Sequence, residues 1–239
     1  MKKSYQFEFN EEIVKEDSYG HGRDDDLEQG SYLAELAAIA ARFCGRRTGN
    51  VLEWGGGISS LMLADFIAER KQGHLLTIDH NQPYLHAVVS AATAKEVVTA
   101  LAIDIIGPRE GQSDECLNYS TVPLHYPDTF DLISIDGRRR LECALTAALI
   151  SHEETVVVIH DYRRLRYQSV LGLFDVVSDG PQFWVLKVKS QMRSILLEQR
   201  PKIAAMQPGS TLLPRSPSGR EWISVVSVAK GCDLRLAPP

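Results

Sequence analysis

Two groups of residues in this 239-residue chain are of types and spacings that can do chemistry. The first is Val51-Leu52-Glu53-Trp54-Gly55-Gly56-Gly57-Ile58-Ser59-Ser60, followed by an acid, Asp79, at the end of the apolar run from Leu75 to Ile78. The second is a pair of apolar runs that both end in acid. Asp131 to Ile135 leads into Asp136-Gly137, and Val156 to Ile159 leads into His160-Asp161. Glycines between an apolar run and a helical pattern let a chain turn sharply out of a buried strand and let a ligand approach the backbone. A nucleoside cofactor is the usual occupant of such a turn. Acids and a histidine at the ends of two further strands offer proton transfer, cation binding or metal ligation beside it.

The turn chemistry discriminates between cofactors. A dinucleotide site needs G-x-G-x-x-G, because its third glycine lets the helix pack close and aim its amino end at a pyrophosphate. Gly55 and Gly57 fit, but Ser60 stands in the third place. Glu53 also puts a carboxylate where it would repel a diphosphate and suit the ammonium of a methionyl group. S-adenosylmethionine is favoured. Ser59, with an acceptor hydroxyl, is expected to cap the helix.

The elements that must position these residues read as alternating strands and helices. Residues 1–30 are polar, carry the run Asp24-Asp25-Asp26, and are expected to form an irregular lid before a helix from about Ser31 to Phe43. Strands are expected at Asn50–Trp54, His74–Ile78, within Val97–Ile106, at Phe130–Ile135 and at Thr155–Ile159. The intervening helices are placed at Ser59–Arg70, Gln82–Ala94, Leu141–Ile150 and Leu165–Phe174. Ser178-Asp179-Gly180-Pro181 is a turn signal between Phe174–Val177 and Phe183–Val188, which predicts a hairpin. The segment Gly107–Thr129 is too long for a simple connection and is expected to face substrate, with Tyr119, His125 and Tyr126 on it. Residues 31–190 thus form one α/β domain, and residues 191–239 an extension of unassigned role with a helix near Gln191–Ala205 and a strand-like Trp222–Val228.

On Glu53-Trp54-Gly55-Gly56-Gly57-Ile58-Ser59 and Asp79 the chain resembles the class I S-adenosylmethionine-dependent methyltransferases, whose first motif is commonly E-x-G-x-G-x-S after an apolar strand. The resemblance implies a Rossmann-like, doubly wound, mostly parallel seven-stranded sheet ending in an antiparallel hairpin. It implies that Glu53, Gly55 and Gly57 hold the methionine part, that Asp79 takes the ribose hydroxyls, and that Asp104 lies near the adenine. The pairing of Ile135-Asp136-Gly137 with His160-Asp161-Tyr162 resembles small-molecule O-methyltransferases of the macrocin and catechol types. Several of those hold magnesium at these strand ends, which would make Asp136 and Asp161 ligands, with Asp136 also beside the cofactor. This chain departs from the catechol type in having His-Asp where that type has Asp-Asn, and magnesium prefers oxygen ligands. Asp136 as a turn acid and Asp161 as a helix cap are the plainer alternatives.

Arginines crowd the same strand ends. Arg138-Arg139-Arg140 follow Asp136, and Arg163, Arg164 and Arg166 follow Asp161. Cations at a helix amino end are unfavourable by about 0.3 to 1 kcal/mol each when exposed, so their placement needs a reason. One reason is an anionic acceptor gripped by guanidinium groups, Arg138 and Arg163 being the candidates, with Tyr119 as a further substrate contact. Another is pairing with Asp24 to Asp26 or with Glu142. For transfer to oxygen the acceptor must lose a proton, and His160, with Asp161 beside it, is the expected base.

Composition limits the alternatives. The net charge of -5 argues against a general nucleic-acid binder, and no apolar run approaches the ~18 residues of a membrane span. Four scattered cysteines without a C-x-x-C pair suggest a reduced cytoplasm, and the first residues lack the apolar core of a signal peptide. The expected partner is a small molecule, with a homo-oligomer possible. A nicotinamide-dependent oxidoreductase is opposed by Ser60 and by the lack of a Tyr-x-x-x-Lys pair. A non-catalytic cofactor-binding or scaffold module would not need Asp136, His160 and Asp161 together.

Overall fold

A computed structural model of the chain describes residues 25–44, 48–103, 117–126 and 129–204. Helix α1 (Asp25–Phe43) leads into β1 (Val51–Trp54), α2 (Ile58–Arg70), β2 (Leu75–Asp79), α3 (Gln82–Ala91) and β3 (Val98–Ala102). After 13 residues outside the described set come a short helix α4 (Leu117–Thr121), β4 (Leu132–Ile135), α5 (Arg140–Ile150) and β5 (Val156–His160). The hairpin β6 (Phe174–Asp179) and β7 (Phe183–Val188) and the helix α6 (Ser190–Ala204) complete it.

The seven strands form one sheet in the order β3-β2-β1-β4-β5-β7-β6, parallel except for β7, which runs antiparallel to both neighbours. The central strands are buried on both faces and are nearly continuous apolar runs, as a sheet covered by helices requires. Side chains alternate between two cores. Val51, Leu75, Leu132 and Val156 face α1 and α2, with Leu36, Leu63 and Ile67. Leu52, Leu76, Ile133 and Val157 face the other layer, with Ala144, Ala148, Leu149, Met192 and Leu196 from α5 and α6. The strand order reverses between β1 and β4, and the loops after β1 and β4 meet at that switch point, where open α/β sheets bind ligands.

Several elements differ from the sequence expectation. Helix α1 begins at Asp25, well before Ser31. Gly30 inside it costs about 1 kcal/mol relative to alanine, which is why the helical pattern reads as starting later. The expected helix at Leu165–Phe174 is a 3-10 segment, Leu165–Gly172. The expected long loop contains α4 and a 3-10 turn, Val122–His125. Helix α6 is no separate appendage, because Met192 and Leu196 are buried in the core shared with α5. The strand-like Trp222–Val228 lies outside the described residues.

Candidate active site

Gly55 leaves β1 at φ +98°, a conformation that favours glycine, and a Cβ there would come within 2.6 Å of the Gly137 nitrogen. Its N–H donates to Ile78 O at 2.9 Å, while the Asp136 N–H donates to Trp54 O at 2.9 Å. The glycine turn is therefore stitched to the ends of β2 and β4. Gly57 is ordinary extended backbone at φ -166°, and its constraint is space, because a Cβ would stand 3.0 Å from Tyr84 Oη.

Beneath this turn lies Glu53, only 1% exposed. Its carboxylate accepts from Ser59 Oγ at 2.6 Å, from Thr77 Oγ1 at 2.8 Å and from Ser60 Oγ. Burial pushes its carboxyl up to about 7 against the pull of these three hydroxyls. Ser60 also accepts the Gly57 N–H at 3.0 Å, so the residue standing in place of a third glycine locks the turn to the acid. Ser59 does not cap the helix. Gly57 holds the cap position, and Ser59 lies inside the first turn of the helix, where its hydroxyl donates to Glu53. Thr77 and Ser134 are the register neighbours of Glu53 on β2 and β4, and the Ser134 hydroxyl is buried without a hydrogen-bond partner.

Asp79 ends β2, 7% exposed, and its Oδ1 accepts the Asn81 N–H at 2.7 Å. Asn81 caps α3, bringing Tyr84 over the glycine turn. Burial pushes the Tyr84 phenol up to about 12, and the charges of Asp79, Glu53 and Asp136 add to the effect. Acids carried by three neighbouring strands or strand ends thus act on one hydroxyl. Asp104 lies outside the described residues.

At the ends of β4 and β5, His160 Nδ1 donates to Asp136 Oδ1 at 2.9 Å, and Nε2 lies 3.2 Å from Gln182 Oε1. The partner of His160 is Asp136 and not the expected Asp161. Successive residues leaving a strand point apart, and the β4 end stands directly beside it. Burial would lower the His160 pKa, but the Asp136 hydrogen bond and charge, helped by Asp161 and Gln182, raise it above its ordinary value. Burial works the opposite way on Asp136, yet His160 and Arg140 hold its carboxyl below the usual range.

The guanidinium of Arg140 spans both strand ends. Its Nε donates to Gly137 O at 3.1 Å, its Nη1 to His160 O at 2.7 Å and to Asp161 Oδ2 at 3.1 Å, and its Nη2 to Asp136 O at 3.0 Å and to Asp136 Oδ1 at 2.8 Å. Asp161 sits at φ +59° and takes Arg164 as a second cation at 2.9 Å. Arg139 pairs with Glu142 at 2.9 Å. Arg163 is exposed, with Nε donating to Tyr162 Oη at 3.1 Å, and Arg138 is exposed in the turn after Asp136.

Sequence reasoning missed Tyr32 and Gln182. Helix α1 delivers Tyr32 against the His160 ring, edge to face at 5.0 Å, with its hydroxyl beside Ser59 and Asp136. Glu35, one turn on, accepts the Gln182 and Phe183 N–H groups at 3.0 and 3.2 Å and so docks α1 on the hairpin. Spacing alone carries no sign of that docking. Tyr119, expected to face substrate, is fully buried; its hydroxyl accepts the Arg138 N–H at 3.3 Å, and its carbonyl takes Trp54 Nε1 at 2.9 Å. It supports the turn from below because α4 packs its aromatic ring into the core.

Residues 52–162 match the family described as methyltransferase domain. This stretch is a methyltransferase domain. Methyl transfer is its class of reaction, and Glu53, Asp79, Asp136, His160 and Asp161 lie inside the matched span. Among solved structures, the domain is similar to the O-methyltransferase TomG from Streptomyces achromogenes, of tomaymycin synthesis and in complex with SAM, at 19% identity over 75% of this chain and 96% of that one, TM-score 0.43. A putative O-methyltransferase from Klebsiella pneumoniae matches at 21% identity over 83% and 76%, TM-score 0.42. The TDP-rhamnose 3'-O-methyltransferase CalS11, of calicheamicin biosynthesis, matches at 11% over 74% and 91%, TM-score 0.45. No curated protein matches the chain. Among the described residues, no helix is long and apolar enough to cross a membrane, and no group of three His, Cys, Asp or Glu side chains could hold a metal.

Proposed function

We propose that the domain transfers the methyl group of S-adenosylmethionine to a hydroxyl oxygen of a small, anionic acceptor. The observation that carries this reading is the placement of Glu53, Asp79 and Asp136 on β1, at the end of β2 and after β4, on either side of the glycine turn that is hydrogen-bonded to both neighbouring strand ends. Such an anionic basin suits a ligand with an ammonium and a sulfonium, and opposes the diphosphate of a nicotinamide dinucleotide. The buried, unpartnered Ser134 hydroxyl beside Glu53 is consistent with a polar ligand there. Glu53 and the loop of Gly55 and Gly57 are assigned to the methionine end, with Ser59 and Ser60 orienting the acid, and Asp79 to the ribose hydroxyls. When bound, the cofactor supplies an activated methyl on a good leaving group, so positioning does most of the work.

The chain's own part is proton removal and orientation. His160 is held by Asp136 in the tautomer that carries its proton on Nδ1, which leaves Nε2 as the accepting atom. The Gln182 amide stands where the acceptor hydroxyl would arrive, and moves aside or turns its NH2 toward Nε2 when the ring is neutral. Arg138 and Arg163, both exposed near these strand ends, are assigned to the acceptor's negative charge. Asp136 and Asp161 do not fit the magnesium ion expected from the sequence. Both are already bound by Arg140, and a dication on the same carboxylates would stand about 5 Å from that guanidinium, repelled by on the order of 7 kcal/mol at an effective dielectric of about 20. The buried free thiols of Cys44 and Cys143 suit a reducing cytoplasm.

The test is transfer of labelled methyl from S-adenosylmethionine to a panel of hydroxylated carboxylic acids and sugar phosphates. His160→Gln is expected to lower kcat by about 10²- to 10⁴-fold, the usual contribution of a general base, with cofactor affinity unchanged. The rising limb of the kcat profile should lie above the ordinary histidine value of about 6.5, because the base must lose a proton that Asp136 holds on. Unchanged kcat in His160→Gln would remove the base assignment.

A further inference from the structure

We infer that Arg140 is the resident cation of this site, its guanidinium standing between Asp136 and Asp161 where a divalent metal would otherwise sit. The inference rests on the reading of these strand ends as the place of methyl transfer. A guanidinium has five N–H donors, and here all five have acceptors: Gly137 O, His160 O, Asp136 O, Asp136 Oδ1 and Asp161 Oδ2. The side chain is 12% exposed, and the Tyr167 ring covers its flat face at 5.4 Å. Three consecutive arginines follow Gly137, and the backbone selects this one. Arg139 turns at φ +51°, so that Arg140 opens α5 directly over the paired ends of β4 and β5.

Two consequences follow for the reaction. With every donor committed, Arg140 cannot itself bind or acidify an acceptor hydroxyl; it is a positioning residue that fixes Asp136, and through it His160 Nδ1. The acceptor proton therefore has His160 as its exit, and a single hydroxyl suffices, because the Arg140 guanidinium holds the carboxylates with which a metal would chelate a vicinal pair.

The test uses the full chain with S-adenosylmethionine present and Mn2+ as probe, bound ion being read by electron paramagnetic resonance. The native protein is expected to bind no more Mn2+ at millimolar concentration than Asp161→Asn does, and Arg140→Lys should exclude it as well. Arg140→Ala, which bares both carboxylates, should gain Mn2+ binding that Arg140→Ala combined with Asp161→Asn lacks. Stoichiometric Mn2+ on the native protein that Asp161→Asn removes would overturn the inference, as would a folded Arg140→Ala that takes up none. Should Arg140→Ala fail to fold, the native and Arg140→Lys titrations decide alone. These readouts do not depend on turnover, so failure of methyl transfer and failure of the cation assignment remain distinct.

Discussion

Replacing Glu53 by glutamine separates the electrostatics of the glycine turn from its packing. The acid is 1% exposed, and burial raises its carboxyl from 4.5 to about 7 despite three hydroxyl donors. Between those two values the folded state binds the proton that the unfolded state has released, so stability falls as pH rises from about 4.5 to 7 and is flat beyond. At about 1.4 kcal/mol per pH unit the loss is roughly 3 to 4 kcal/mol across the whole window, and about 3 kcal/mol of it falls above pH 5. Glutamine keeps the shape and an acceptor oxygen for Ser59, Ser60 or Thr77 but does not titrate. Urea denaturation of both proteins without cofactor, at pH 5 and pH 8, should therefore show the native protein losing about 3 kcal/mol relative to Glu53→Gln over that interval. The titration of His160 is present in both proteins and largely cancels in the comparison. Parallel stability curves would refute the claim that this carboxyl is strained by burial. Cofactor binding should run the other way, since a methionyl ammonium would pull the proton off Glu53, and the native protein should release a proton on binding near pH 6 while the variant releases none.

Two further outcomes are expected. Gly55→Ala combines a left-handed backbone with a Cβ 2.6 Å from the Gly137 nitrogen, and should cost several kcal/mol of stability, read by thermal unfolding. Arg138→Lys and Arg163→Lys keep the charge but lose the planar fork, and should raise the acceptor KM several-fold with kcat and cofactor affinity little changed; silence of both in steady-state kinetics would retire the anionic acceptor.

The order of strands and helices was legible because the buried strands are apolar runs bounded by glycine and acid, a signal that survives without tertiary context. Asp79, Asp136 and His160 could be singled out because each ends such a run, and Glu53 because it lies just before the glycine turn. What each one touches could not. His160 and Asp161 are adjacent in sequence but leave β5 in different directions, so His160 meets Asp136 across the sheet while Asp161 turns to Arg140 and Arg164. Of Arg138, Arg139 and Arg140 the sequence reading singles out Arg138, and nothing in the sequence marks Arg140; only the left-handed turn at Arg139 decides which of them crosses the strand ends. Tyr32 and Glu35 sit in an ordinary helical pattern, and their roles exist only because α1 docks on the β6–β7 turn. Tyr119 misled because its place in a long polar segment outweighed the apolar character of the ring that buries it.

Titration of the purified chain with S-adenosylmethionine and, separately, with NAD, each against the native protein and Asp79→Ala, measures the central claim most directly. The anionic basin of Glu53, Asp79 and Asp136 predicts calorimetric binding of S-adenosylmethionine that weakens by about 1.5 to 3 kcal/mol in Asp79→Ala, the value of a lost charge-assisted hydrogen bond, with no binding of NAD. Tight NAD binding with no measurable affinity for S-adenosylmethionine would contradict the account.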